Sequence, residues 1–226
     1  MTADASDGRA RPGDARAAWG GVHVLADDDP RWAHDPVAQA RFACDAGVAV
    51  VQLRAKHATD AVTLDWAHRI RAITREAGVG FVVNDRFDLA LLAEADGVHL
   101  GQTDLPPAAL PADARAKLGV GRSTHTREQL AATRDEDVDY VAFGPLFGTT
   151  SKDSDYTERG LDALREAAKL AAPRPLVTIG GIGLEHLGAI RDAGAAGFAV
   201  ISAVAADDDP RAAAERLVRG WDEAAR

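Results

Sequence analysis

Polar residues in this chain collect at the ends of short apolar runs, and their types suit the handling of phosphorylated ligands. Gln52, Arg54 and Lys56 stand two apart, so an extended segment turns all three to one face. Asn84-Asp85 closes one run, Gln102 and Asp104 close the next, and Ser123 and His125 follow a third. Two aspartates at successive run ends can share one Mg2+, a hard cation that needs only one or two carboxylates and fills its other positions with water and phosphate oxygens. Arg54, Lys56 and Lys152 are cationic partners for a diphosphate. Gly180-Gly181 and the backbone at Ile201-Ser202 suit a second phosphate.

Several of these residues also have a structural reading. Asp85 and Asp104 can be helix N-caps, Asp104 especially ahead of Pro106-Pro107. Gly180 to Gly183 can be a tight turn, and a dinucleotide fingerprint fails there because His186 stands where its third glycine belongs. Ser202 can cap a short helix, and Thr149, Thr150 and Ser151 can be loop residues. His125 and His99 read as structural. Cys44, inside the apolar run QARFACDAG, reads as a core thiol. It is the single cysteine, which excludes an internal disulfide. The acidic DDDP stretches at Asp27 to Pro30 and Asp207 to Pro210 read as solvated loops. What favours chemistry is the combination of acids, cations and glycines in one order.

The elements that must position these groups are β-branched runs alternating with longer alanine-rich amphipathic segments, the pattern of βα units around a parallel sheet. Eight runs begin at Val22, Val48, Gly80, Gly97, Val120, Tyr140, Leu176 and Gly197. Helix punctuation agrees: Pro36 early in one helix, Thr126 with Gln129 as a capping box, and Gly47, Gly78, Gly119 and Gly194 ending helices. Eight such units close into an α/β (β/α)8 TIM barrel, whose functional groups come from the carboxyl ends of the strands. A doubly wound open sheet is the alternative. No linker divides the runs, so one barrel domain is expected over 19–226, behind a short flexible tail, 1–18, that is small, charged and without period.

With 226 residues, 46% of them apolar, the chain can bury a proper core. A net charge of -9 argues against a nucleic-acid surface. No stretch reaches the roughly 20 apolar residues that cross a bilayer, so a cytoplasmic setting without a membrane partner is expected.

Seven motifs in order are QLRAK (Gln52 to Lys56), VND (Val83 to Asp85), GVHLGQTD (Gly97 to Asp104), GRSTH (Gly121 to His125), GPLFGTTSK (Gly144 to Lys152), TIGGI (Thr178 to Ile182) and AVISA (Ala199 to Ala203). From Gly21 to the C-terminus the chain resembles the thiamine phosphate synthase family. The resemblance implies a Mg2+-dependent barrel enzyme, a transferase that joins a hydroxymethylpyrimidine diphosphate to a thiazole phosphate, releasing diphosphate and giving thiamine phosphate. It implies that Gln52, Arg54, Lys56, Asn84 and Lys152 contact the pyrimidine diphosphate, and that Ser123 reaches the diphosphate. It further implies Asp85 and Asp104 as magnesium ligands, with Thr149, Thr150, Ser151, Gly181, Ile201 and Ser202 around the thiazole and its phosphate. The family's Thr-x-Thr-Lys is here Thr149-Thr150-Ser151-Lys152, so one hydroxyl comes from serine. Two other readings are a thiazole tautomerase of the same fold, which uses a histidine where this chain has Pro145 and lacks the paired aspartates, and a non-catalytic phosphate-binding barrel. Homo-oligomerisation is left open by the sequence.

Overall fold

A computed structural model describes residues 19–148 and 157–225. Eight parallel strands form its centre: β1 (Gly21–Asp27), β2 (Val50–Arg54), β3 (Gly80–Asn84), β4 (Gly97–Leu100), β5 (Gly119–Thr124), β6 (Tyr140–Phe143), β7 (Leu176–Ile179) and β8 (Gly197–Val200). Each pairs with its chain neighbours and β1 also pairs with β8, closing the barrel. The open-sheet alternative is thereby excluded. Outside lie α1 (Pro36–Asp45), α2 (Asp60–Ala77), α3 (Phe87–Leu92), α4 (Ala112–Lys117), α5 (Arg127–Ala132), α6 (Gly160–Ala171), α7 (Leu187–Asp192), α8 (Ser202–Ala205) and α9 (Pro210–Glu223). No helix among the described residues is long and apolar enough to cross a membrane.

The two faces of each strand bury different things, which explains why the runs are apolar throughout. Val51, Leu53, Phe81, Val83, Val98, Leu100, Val120, Val141 and Phe198 face the helices in one large core. Leu25, Val50, Val82, Tyr140, Val177 and Ala199 form a smaller core inside the barrel, together with Trp19 and Ile201. Cys44 is buried in α1, and desolvation raises its thiol pKa to about 11, so it is the inert core residue expected.

Helix punctuation follows the sequence at most points. Asp35 accepts the Ala38 N–H at 2.8 Å ahead of Pro36, and Gly78 takes a left-handed C-cap at φ 68°. The Thr126 hydroxyl accepts the Gln129 N–H at 3.2 Å, but the Gln129 side chain returns to the N–H of His125 rather than Thr126. Gly119 departs from expectation: it opens β5 instead of ending a helix. A Cβ there would meet the Trp19 ring at 2.3 Å, so packing, not capping, requires the glycine.

Trp19 plugs the amino-terminal end of the barrel and stacks on Tyr140, with ring centroids 5.2 Å apart and planes 18° from parallel. His23 meets Tyr140 edge-on from β1 and bonds the Trp19 carbonyl through Nε2 at 3.1 Å. Complete burial pushes the His23 pKa down to about 4, so the ring is neutral at physiological pH. A folded-state pKa below the unfolded value means that stability is fully present above about pH 6.5 and is lost as pH falls toward 4, by about 2 kcal/mol at pH 5. Thermal melts at pH 7 and pH 5 should therefore show a steeper loss for the parent protein than for His23→Gln. Equal losses would assign the acid sensitivity to other groups.

Candidate active site

The carboxyl ends of β3 and β4 carry the two aspartates, and neither caps a helix. The residue before α3 is Arg86, and the 3-10 turn Pro107–Ala109 starts behind Pro106. Asp85 instead sits in the left-handed region at φ 65°, which only Glu94 shares among the described non-glycine residues. Aspartate tolerates that conformation better than most side chains, and strain of this kind collects at functional sites. The Asp85 N–H donates to the His99 carbonyl at 2.7 Å, fixing the turn. Its Oδ2 lies 2.5 Å from Lys56 Nζ.

Burial holds the Asp85 carboxyl above the usual carboxylate range, and the adjacent Asp104 carboxyl raises it further against the opposing pull of Lys56. Asp104 is oriented by its own loop: its Oδ2 accepts the Gly101 N–H at 2.6 Å. The Gly101 carbonyl in turn accepts from the guanidinium of Arg122, whose Nε is 3.4 Å from Glu136. Two hard carboxylates, half-buried and repelling one another, fit a divalent cation, which removes the repulsion and accepts oxygen ligands. Among the described residues no third His, Cys, Asp or Glu joins them. That donor set leaves most coordination positions to water and phosphate, as Mg2+ prefers.

The cations of strand two arrive by two routes. Gln52 and Arg54 are on the inward face of β2, paired in register with Leu25 and Asp27 across β1. Gln52 is buried and Arg54 lies at the rim. Lys56 lies beyond the end of β2, so the alternation that unites it with Gln52 and Arg54 in an extended segment stops at Arg54. A loop, not the strand pleat, delivers its ammonium to Asp85. Arg54 pairs through Nη1 with Asp27, which is fully buried. The expectation of a solvated DDDP loop is therefore wrong at Asp27: the acid turns into the barrel mouth, where the half-buried Arg54 guanidinium supplies the counter-charge that a buried carboxylate needs.

Ser123 ends the inward face of β5, where its Oγ meets His99 Nε2 at 2.8 Å while His99 Nδ1 meets the Tyr140 hydroxyl at 2.9 Å. His99 is structural as expected, but what it supports is Ser123. Gly121 makes this stack fit, since a Cβ there would lie 2.2 Å from the Tyr140 ring. Gln102 donates to the Ser123 carbonyl at 2.6 Å, tying the β4 and β5 loops together. His125 bonds the Gly144 carbonyl through Nδ1 at 2.7 Å. Asn84 closes β3 opposite His99.

Beyond Ser123 opens a cavity of about 260 Å³ at the carboxyl ends of β5 to β8. Gly181, Ile201 and Ser202 line it, together with Pro145 and Ile182. Gly180 and Gly181 take φ of 109° and 61°, and side chains on them would strike Pro145 and Phe147 of the loop after β6. That loop is pinned to them by the Leu146 N–H on the Ile179 carbonyl and the Phe147 N–H on the Gly180 carbonyl, at 2.8 and 3.0 Å. Close backbone approach is thus the reason for this glycine pair. The structure brings Arg54, Lys56, Asn84, Asp85, Asp104 and Ser123 to one rim, with Gln52 buried just inside it and Gly181, Ile201 and Ser202 in the cavity beside it. Thr149, Thr150, Ser151 and Lys152 lie outside the described residues.

The family described as thiamine monophosphate synthase matches residues 22–204. The chain belongs to that family. It is 46% identical to a thiamine-phosphate synthase of Anaeromyxobacter dehalogenans over 206 residues, 89% of this chain and 88% of that one. Against the thiamine-phosphate synthase of Chlorobium phaeovibrioides it is 45% identical, covering 83% of this chain and 90% of the relative. The solved thiamine phosphate pyrophosphorylase of Pyrococcus furiosus superposes with a TM-score of 0.82 at 31% identity, over 92% of this chain and 98% of that one.

Within this family member, sequence reasoning overlooked Asp27, Asp28, Gly101 and Tyr140. Asp27, Asp28 and Gly101 bond Arg54, Lys56 and Asp104 directly, and Tyr140 reaches Ser123 through His99. The one local hint was Asp27 itself, an acid at the carboxyl end of a predicted strand, where functional groups gather.

Proposed function

We propose that the protein is a thiamine phosphate synthase. It joins 4-amino-2-methyl-5-hydroxymethylpyrimidine diphosphate to 4-methyl-5-(2-phosphoethyl)thiazole, or its carboxylated form, and releases thiamine phosphate and diphosphate. The observation that carries this reading is the Asp85 and Asp104 pair beside Lys56, one strand from Ser123 and the cavity. Asp85 and Asp104 would hold Mg2+, which supplies positive charge for the departing diphosphate. Arg54, Lys56 and Lys152 are proposed to bind the diphosphate oxygens, and their charge favours the state in which the carbon–oxygen bond has broken. Ser123, held by His99, donates a further hydrogen bond to the same group. Gln52 and Asn84 orient the pyrimidine, whose amino group spreads the positive charge left on its methylene carbon.

The thiazole is proposed to sit in the cavity, its phosphate near Gly181, Ile201 and Ser202 and near Thr149 to Ser151. Held there, its ring nitrogen attacks the methylene, and no protein nucleophile takes part. An inert Cys44 is in keeping with that. The catalytic unit is proposed to be residues 19–226, working in the cytoplasm, where charged phosphate esters are retained by membranes.

Incubation with both phosphorylated precursors and Mg2+ should give thiamine phosphate, with the thiazole phosphate alone as control. Isomerisation of the thiazole without condensation would replace this reading with the tautomerase. Pro145, at the lip of the cavity, offers no proton-transfer group for that isomerisation.

A further inference from the structure

β1 ends at the site with successive acids, Asp27 and Asp28, to which the reading above gives neither substrate nor metal. The Asp27 carboxylate is held in one orientation. Its Oδ2 pairs with Arg54 Nη1, and its Oδ1 accepts from Trp32 Nε1 at 2.8 Å and from the Asp29 N–H at 3.0 Å. Gln39, buried in α1, grips the same residue's backbone on both sides: its Oε1 accepts the Asp27 N–H at 3.0 Å, and its Nε2 donates to the Asp27 carbonyl at 2.8 Å. Arg54 has five N–H donors, so the contact with Asp27 leaves most of the guanidinium edge for a ligand.

Asp28 works through the backbone. Its Oδ1 accepts the Lys56 N–H at 2.7 Å, while its Oδ2 accepts the N–H groups of His57 and Ala58 at 2.9 and 2.8 Å. Three successive amides thus converge on one carboxylate, an arrangement that also binds free anions. The Asp28 N–H donates to the Arg54 carbonyl at 3.2 Å, completing the tie between β1 and the end of β2.

We propose that Asp27 and Asp28 are positioning residues for diphosphate capture: Asp27 aims the Arg54 guanidinium, and Asp28 fastens the loop that presents Lys56. This rests on the reading that both cations bind diphosphate. The physical reason is preorganisation. Arginine and lysine are long and rotamer-rich, and ordering them before the ligand arrives removes that cost from binding. Acids placed behind the cations do this without touching the substrate.

The test is a pair of double-mutant cycles, Asp27→Asn with Arg54→Ala and Asp28→Ala with Lys56→Ala. The readouts are the KM for each precursor, kcat, melting temperature and the Kd of inorganic diphosphate by calorimetry. Asp27→Asn and Asp28→Ala should each raise the KM for the pyrimidine diphosphate and the Kd of diphosphate about tenfold. The KM for the thiazole phosphate should stay within about twofold. Each double variant should bind diphosphate no worse than the one lacking its cation, because an acid that acts through a cation has no effect without it. A further tenfold loss in the doubles would overturn the proposal, as would unchanged diphosphate binding in both acid variants. If Asp27→Asn does not fold, Asp28→Ala, which removes a half-buried loop acid, decides the matter alone. A parent protein that forms no thiamine phosphate overturns the proposed function and this inference with it, whereas an active parent with additive cycles overturns only the inference.

Discussion

Asp85→Asn and Asp104→Asn should each lower turnover by about 10²–10³-fold while the barrel stays folded. A metal-borne stabilisation of the leaving group is worth several kcal/mol, and each tenfold in rate corresponds to about 1.4 kcal/mol. Asparagine is the better replacement at position 85 than alanine. It tolerates the left-handed φ of 65° and keeps one oxygen, so the loss isolates the charge. At position 104 it can still accept the Gly101 N–H. Stability should move the other way. Burial and the neighbouring acid raise the Asp85 pKa, so the unfolded chain ionises more readily than the folded one, and at neutral pH the charge on Asp85 costs the metal-free protein stability. The metal-free Asp85→Asn protein should therefore melt at or above the parent temperature while binding Mn2+, a spectroscopic substitute for Mg2+, more weakly. Parent-like turnover at limiting Mg2+ in both variants would remove the aspartates from the metal site.

The features legible in the sequence were those written in local period. All eight strands lie where β-branched runs predicted them, because a strand buried on both faces must be apolar along its length. The candidate residues at their carboxyl ends were legible for the same reason: a polar group interrupting such a run has to be at the rim. Pairings across the barrel were not legible. Asp27 and Arg54 are neighbours only because β1 and β2 align Leu25 with Gln52, and although its place at a strand end hints at a role, no local pattern names Arg54 as its partner. Alternation places Lys56 on the strand face, because periodicity alone does not say where a pleat stops. The position of Gly119 ahead of a strand suggests a helix terminator, whereas the atom forbidding its side chain belongs to Trp19. His99 is structural, as its place inside an apolar run implies, yet its partners Tyr140 and Ser123 come from other strands.

Trp19→Ala should destabilise the fold by about 3–5 kcal/mol, the cost of removing a large buried aromatic side chain and leaving a void. For a chain of this size that lowers the melting temperature by roughly 6–20 °C. The upper part of that range is favoured because the void cannot collapse. Gly97 and Gly119 border the indole and have no side chains with which to fill the space, and their strands are fixed by the closed ladder. Trp19→Phe should retain most of the stability. It keeps the ring against Tyr140 and removes the indole Nε1, a buried donor without a hydrogen-bond partner among the described residues. The alanine variant should also lose activity below its melting point. Tyr140 rests on the indole, bonds His99, and His99 bonds Ser123, so loosening the plug loosens a side chain at the opposite end of the barrel. Melting within about 2 °C of the parent would show that the indole is dispensable, and the glycines at positions 97 and 119 would then need another explanation.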